Sequence, residues 1–367
     1  MAALPQEIIV EILSRLPVNS LLRFKRVCKS WYSLIKTPQF IKLHLNRALI
    51  SNSDRHLVFC CLYLYSAELN SNHNQLYFSK HDHILDPLLV RISGSCNGII
   101  CIMGNCNSIS LYNPLTKSRF DLPISETPEL EPLVTSLGFG YDSKNDDYKV
   151  LRIVQGFNNS KIYDQEVKLF SYNKNSWKWV EVASSYNFRL CRHGVLVDEA
   201  LHYLVINKES SSKNLSIAKF DLFTEKFSVM NFPEGIDMAR SNVMLTLTNL
   251  GGSLSLMAKH HSLSAMGHAD LWVMKTYGNK GSWCKLYSIR NCIQAKPMVY
   301  SEDGRRILLE LDNRRYGWYD LESKIVDKFT SYGLSDRIYL RTKILVGSLV
   351  LLQDKLHSDS DKENLPR

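Results

Sequence analysis

The sequence predicts an α+β chain in two parts, a small N-terminal all-α unit followed by an all-β propeller. Three observations carry that prediction. Residues 4–48 place apolar side chains at helical spacing between prolines. From about residue 55 the pattern turns strand-like, and the strand-rich part repeats one hairpin five times. The expected divisions are 1–47 for the helices, 54–353 for the propeller and 354–367 for a polar, disordered tail.

The helical part opens at Leu4-Pro5, because proline suits a first helical turn, where its missing N–H would have no partner. Ile8, Ile12, Leu13 and Leu16 then recur on one face, with Glu7, Glu11 and Arg15 on the other, until Pro17 stops the helix. Asn19-Ser20 reads as the N-cap region of the next stretch, in which Leu21, Leu22, Phe24, Val27, Cys28, Trp31, Leu34 and Ile35 continue the apolar count as far as Thr37-Pro38. A further helix is expected from Gln39 to Ala48. So short a unit cannot bury this many large apolar groups within itself, so some must face a partner. Residues 1–47 carry eight Lys or Arg against Glu7 and Glu11, a surplus of six out of a whole-chain +9. The partner surface should therefore be acidic.

The propeller is expected from five copies of a hairpin with a polar turn: Ser110–Phe120, Leu169–Trp177, Lys219–Phe227, Trp272–Trp283 and Gly317–Ile325. Upstream of most copies lies a Gly- or Asn-marked strand start, at Ser95–Ile100, His193–Val197, Leu250–Leu256 and Glu302–Leu309. A spacing of roughly 43 to 60 residues matches four-stranded blades. A sixth blade would form by Lys343–Leu352 pairing with the segment Leu57–Phe78, which leaves no exposed edge; seven blades are the alternative count.

Composition narrows the function classes. At 367 residues and 45% hydrophobic, the chain holds enough apolar mass for one large or two moderate cores. It shows neither an apolar run of membrane-spanning length nor a secretory leader, and its nine cysteines suit reduced thiols, so an intracellular, soluble protein of the cytoplasm and/or nucleus is expected. The Asn158-Asn159-Ser160 and Asn214-Leu215-Ser216 sequons are then chance. A pI near 9.0 raises nucleic acid as a partner, but beyond the helices basic and acidic residues interleave, as in residues 142–147 and 320–324, and no nucleic-acid partner is expected.

No enzymatic constellation is visible, and no catalytic, cofactor or metal residue is assigned. Gly138-Phe139-Gly140 lacks the third glycine of a dinucleotide loop and reads as a turn between blade strands. Cys96, Cys101 and Cys106 lack zinc spacing, and His81-Asp82-His83 and His260-His261 are expected in polar loops. No Gly-x-Ser-x-Gly elbow occurs.

Two resemblances together cover nearly the whole chain. Leu4-Pro5, Glu7-Ile8-Ile9, Ile12-Leu13, Arg15-Leu16-Pro17-Val18, Ser20-Leu21, Phe24-Lys25, Val27-Cys28-Lys29-Ser30-Trp31 and Leu34-Ile35 resemble the F-box, which binds Skp-type adaptors. Leu137–Asp142 with Asp146–Val150, Val167–Ser171 and Leu271–Lys275 resemble the F-box-associated, kelch-like domain of plant F-box proteins. Asn173–Lys178, Leu308–Leu311 and Asp320–Lys324 are similar to the immune-regulatory type known as constitutive expresser of pathogenesis-related genes; the S-locus F-box proteins share the architecture. The Lys362-Glu363-Asn364 tail tripeptide resembles a degron, and Ser358 and Ser360 stand beside acids as phosphosite candidates.

The resemblance implies the substrate-recognition subunit of an SCF (Skp–cullin–F-box) ubiquitin ligase. It implies an adaptor surface formed or supported by Leu4, Pro5, Ile8, Ile12, Leu13, Leu16, Pro17, Val18, Leu21, Leu22, Val27, Cys28 and Trp31. A Skp-type adaptor, and through it cullin, would be the partner. The propeller would hold a client protein, an intracellular immune receptor if the nearest likeness carries over. The alternative is a scaffold that binds the adaptor without directing ubiquitination.

Overall fold

The prolines of the first forty residues stand at helix starts. In this computed structural model, Pro5 (φ −54°, ψ 145°) is the N-cap of helix α1 (Gln6–Leu13), and Pro17 is the N-cap of α2 (Val18–Phe24). Pro17 thus opens a helix as well as ending one, so the N-cap lies two residues before the expected Asn19-Ser20. The stretch from 18 to 36 is also two helices. Extended backbone at Cys28 (φ −158°) separates α2 from α3 (Lys29–Lys36). Thr37 caps α4 (Pro38–Ile50), its Oγ1 accepting from Phe40 N at 3.2 Å.

The structure describes residues 4–60, 63–69, 75–81, 91–104, 108–125, 131–157, 163–182, 186–188, 193–207, 215–230, 232–236, 243–260, 267–290, 295–312, 315–332 and 342–353. Cys106, Asp82, His83, His261, the Asn158 sequon, Asn214 and the tail with Lys362-Glu363-Asn364, Ser358 and Ser360 lie outside them. The five described cysteines are free thiols.

Among the described residues, six antiparallel sheets of four or more strands form the blades of a six-blade β-propeller. Blade one is built from Arg91–Cys96, Ile99–Met103, Ile109–Asn113 and Ser118–Asp121. Blade two is built from Glu131–Asp142, Asp147–Phe157, Tyr163–Ser171 and Ser176–Trp179. In blade three, Tyr186–Asn187 and Val195–Val197 both pair with Ala200–Asn207, followed by Leu215–Asp221 and Phe227–Met230. Blade four comprises Val243–Leu250, Ser253–His260, His268–Met274 and Trp283–Arg290. Blade five comprises Ala295–Tyr300, Arg306–Leu311, Arg315–Asp320 and Val326–Lys328. In blade six, Lys343–Val346 from the end of the chain joins Arg55–Cys60, Leu64–Glu68 and Ser79–His81 from its beginning. Described contacts group the chain into two compact units, one holding the helices with blades one and six, the other holding blades two to five.

Each of the five expected hairpins is the outer strand pair of a blade. The polar turn has a local cause. Asn113 Oδ1 accepts from the backbone N–H of Leu115 and Thr116, Asp221 Oδ1 from Phe223 and Thr224, and Asp320 Oδ1 from Glu322 and Ser323. An Asn or Asp side chain folding back on the N–H groups two and three residues ahead makes the turn without glycine. The chain then leaves through a left-handed residue at the same offset, Lys117, Glu225 and Lys324 (φ 61°, 58° and 60°).

Four expectations change. Gly138-Phe139-Gly140 lies inside the long strand Glu131–Asp142 and is no turn. A Cβ at Gly138 would overlap the Tyr203 hydroxyl and Leu201, and one at Gly140 would fall 2.6 Å from Leu222 and 2.7 Å from Leu196, so the glycines let blade three pack against blade two. His81 and His260 end strands and do not sit in loops, because the ladder pairs them with Leu64 and Val243. Of the expected strand Lys343–Leu352 only Lys343–Val346 joins the ladder. Beyond it the backbone bonds to side chains, Asn113 Nδ2 donating to Ser348 O at 3.0 Å and Val350 O at 2.9 Å, and Leu352 N donating to Ser118 Oγ at 3.1 Å. Finally, Gln75–Tyr77 leaves blade six to pair with Thr330–Tyr332 as a separate two-stranded ribbon.

A buried ion pair explains the Asp142 and Lys149 of blade two. Lys149 Nζ donates to Asp142 Oδ2 at 2.8 Å, to Leu222 O at 2.6 Å and to Glu225 Oε1 at 2.9 Å, so one ammonium ties the first hairpin of blade two to the outer turn of blade three. Both side chains of the Lys149–Asp142 pair are under 5% exposed. Removing one partner of such a pair strands the other. Urea unfolding of Lys149→Met should show a loss of about 3–5 kcal/mol; a loss under about 1 kcal/mol, the range of a surface pair, would show that the ammonium is not an inter-blade tie.

Candidate functional site

The helices α1 to α4 are amphipathic, and their apolar residues divide cleanly. Leu13, Val18, Leu21, Ile35 and Phe40 are buried together with Leu349 from the C-terminal segment, and Leu16, Leu22, Phe24, Trp31 and Leu34 pack half-buried around them. Leu45 and Ala48 of α4 meet Val346 in a second small cluster. The helical unit's inner face is therefore completed by the last described residues of the chain.

Polar groups fix that packing. The Asp54 carboxylate, nearly enclosed, accepts from Val18 N at 2.9 Å through Oδ2 and contacts His56 Nε2 at 3.0 Å through Oδ1. Its carbonyl accepts from Gly347 N at 2.7 Å. A Cβ at position 347 would overlap the Asp54 carboxylate, so only glycine fits there. Burial alone would raise the Asp54 carboxyl, but the His56 bond and the Val18 N–H, with the charges of His56 and His44, hold it below its ordinary value of 3.8. His44 Nε2 donates to Leu16 O at 2.8 Å, pinning the Leu16-Pro17 corner to α4. Arg47 on α4 bonds to the Glu11 carboxylate on α1 and to Ser14 Oγ at 2.7 Å, and Arg15 bonds to Glu11 at 2.5 Å. The Arg47 and Arg15 bonds bring the Glu11 carboxyl down to about 2.

The outer face is what these contacts leave uncovered. Leu4 (61% exposed), just ahead of α1, is followed at four-residue spacing by Ile8 (45%) and Ile12 (50%) within it, and Val27 (61%) stands in the turn between α2 and α3. Pro5, Pro17 and Cys28 are exposed as well. Trp31 leans on Phe24, ring centroids 5.5 Å apart, and keeps a partly open face. Of the thirteen sequence-derived residues, then, Leu13, Val18 and Leu21 are buried and support the unit from within, Leu16, Leu22 and Trp31 are half-buried, and the remaining seven are exposed. Arg23, Arg26, Lys29, Lys36 and Lys42 are exposed, while Arg15 and Arg47 are engaged by Glu11. Cys28 Sγ lies 3.1 Å from Ser30 Oγ, and that bond, with the N–H groups opening α3, lowers its thiol pKa. Residues that the sequence left unassigned, Asp54, His44, Gly347 and Leu349, carry the unit's anchoring.

Comparison with known proteins places this geometry. Residues 1–43 match the F-box domain, and residues 30–338 match the F-box associated beta propeller domain. The chain belongs to the F-box proteins with an F-box-associated propeller. Among its relatives, F-box protein CPR1 of Arabidopsis thaliana is 33% identical over 384 aligned residues, covering 96% of this chain and 89% of that one. F-box protein At4g22390 of Arabidopsis thaliana is 32% identical, covering 96% of this chain and 91% of its own length. F-box/kelch-repeat protein At3g23880 of the same plant is 33% identical over 84% of this chain and 85% of its own length. In this F-box protein, no described helix is long and apolar enough to cross a membrane.

The Asp54 anchor has a pH signature. A carboxyl held below its unfolded value adds stability that is complete above that value and is lost as pH falls through the folded one. The stability gap between the F-box protein and its Asp54→Asn variant should be flat above about pH 5 and shrink as pH falls below 3.8. Urea titrations at stepped pH check this; a gap that widens in acid would contradict the assignment.

Proposed function

We propose that this F-box protein is the substrate-recognition subunit of an SCF ubiquitin ligase, with α1 to α3 docking a Skp-type adaptor that leads to cullin. The observation that carries the reading is the split of the helical residues. Contacts with Ile35 and Phe40 of the helices and with Leu349 cover Leu13, Val18 and Leu21, yet Leu4, Ile8, Ile12 and Val27 stay open in a unit tied by Asp54 and Arg47. Burying such anchors against a partner supplies most of a typical interface's affinity, and the exposed Arg23, Arg26 and Lys29 would steer an acidic adaptor and add mainly to the association rate.

The role is not catalytic in itself. The propeller presents a client to a ubiquitin donor recruited elsewhere in the complex, so the acceleration comes from proximity. Blade loops are the natural client surface, since a rigid scaffold leaves its connections free to vary. The similarity to CPR1 and the Asn173–Lys178, Leu308–Leu311 and Asp320–Lys324 segments favour an intracellular immune receptor as client, with negative regulation of plant defence in the cytoplasm and/or nucleus as the consequence.

A pull-down with a Skp-type adaptor and cullin tests the reading. The wild type should recover both, and Ile8→Asp with Ile12→Asp should cut recovery more than about thirtyfold, the loss of a hot-spot pair, without lowering the unfolding temperature. Recovery of neither protein by the wild type would end the ligase reading; recovery of the adaptor with client levels indifferent to the chain would favour the scaffold.

A further inference from the structure

Blade four brings together three ligand-type side chains that lie far from helical or zinc-finger spacing in the sequence. The antiparallel register sets His260 directly opposite His268, and the two-residue pleat puts Asp270 on the same face of the sheet as His268. The two imidazole rings stack with centroids 4.4 Å apart and 14° between their planes. His260 Nε2 lies 3.5 Å from Asp270 Oδ2, and one donor atom from each of the three residues lies within 4.8 Å of the others.

The carboxylate is already oriented. Asp270 is 7% exposed, and Ser288 Oγ donates to its Oδ1 at 2.5 Å, which turns Oδ2 toward His260 and toward Lys285 Nζ at 2.7 Å. An outer hydrogen bond that fixes a carboxylate oxygen is the support a metal ligand normally has. Lys285 occupies the position a cation would take, with its own side chain 43% exposed and so free to swing into water.

We propose that His260, His268 and Asp270 form a binding site for a divalent transition metal of the zinc type, with its remaining coordination positions open. Two imidazole nitrogens and one carboxylate oxygen suit zinc, copper or nickel and disfavour calcium or magnesium, which want oxygen alone. Donors bound tetrahedrally to one ion at about 2.0–2.2 Å lie about 3.3–3.6 Å apart, so the site closes by about an ångström, the stacked imidazoles tilting toward the ion. The ion displaces the Lys285 ammonium from Oδ2 and clamps the strand ends where residues 261–267 connect Ser253–His260 to His268–Met274.

Cobalt(II) titration of the full chain tests this, because its absorption separates nitrogen and oxygen ligation, with weak visible bands, from ligation by cysteine thiolates, with intense charge-transfer bands. The wild type should bind one equivalent with weak bands. His268→Ala, an exposed position that the fold tolerates, should weaken that equivalent at least about tenfold and abolish the rise in unfolding temperature that zinc produces. Lys285→Met should tighten binding several-fold by removing the competing charge. Equal affinity and stoichiometry in wild type and His268→Ala, or bound cobalt showing thiolate bands alone, would overturn the proposal.

Discussion

The helical unit depends on one buried carboxylate. Asp54 stands at the junction of α4 and the first strand of blade six, and its two oxygens and its carbonyl bond in three directions: to the N-terminus of α2, to His56, and to Gly347 beside the chain's closing strand. Pro17 cannot cap α2 with a side chain, so the first N–H of that helix would be an unsatisfied buried donor without Asp54. The same residue thus finishes a helix at one end of the chain and positions the strand that closes a blade from the other.

That arrangement accounts for why the outer face is available. A helical unit of this size, left to itself, would bury its apolar residues against one another or aggregate. Here Leu349 and Val346 take one side, and the side bearing Leu4, Ile8, Ile12 and Val27 is left as a preformed surface. A rigid surface loses little conformational entropy on docking, which favours affinity. The Arg47 and Glu11 contact between α4 and α1 serves the same end, since it orients the helix that carries two of the four exposed anchors, Ile8 and Ile12.

What the sequence revealed follows the range of the interactions. Three of the five hairpins were legible because an Asn or Asp bonding two or three residues ahead, followed by a left-handed residue, writes its turn within five positions. The amphipathic faces were legible for the same reason, and so was the closing of blade six, because an unpaired terminal strand demands a partner. Asp54, Gly347 and Leu349 were not, since their role is set by contacts between opposite ends of the chain. Gly138 and Gly140 looked like a turn because their true cause, the side chains of Leu201, Tyr203, Leu196 and Leu222 pressing on the strand, lies in the next blade. The clustering of His260, His268 and Asp270 depends on a ladder register that no local spacing declares. The residues set aside for docking likewise split into core and surface only once the partner elements were in place.

Hydrogen exchange of the native protein, compared with its Leu349→Ala variant, tests the central claim that the helices are anchored by the end of the chain. Leu349 is 1% exposed among Leu13, Val18 and Leu21, so truncating it should lower the protection of α1 and α2 amides by about 2–5 kcal/mol while blades two to five keep theirs. Unchanged protection in α1 and α2 would contradict the account, because the helices would then be stable without the Leu349 contact.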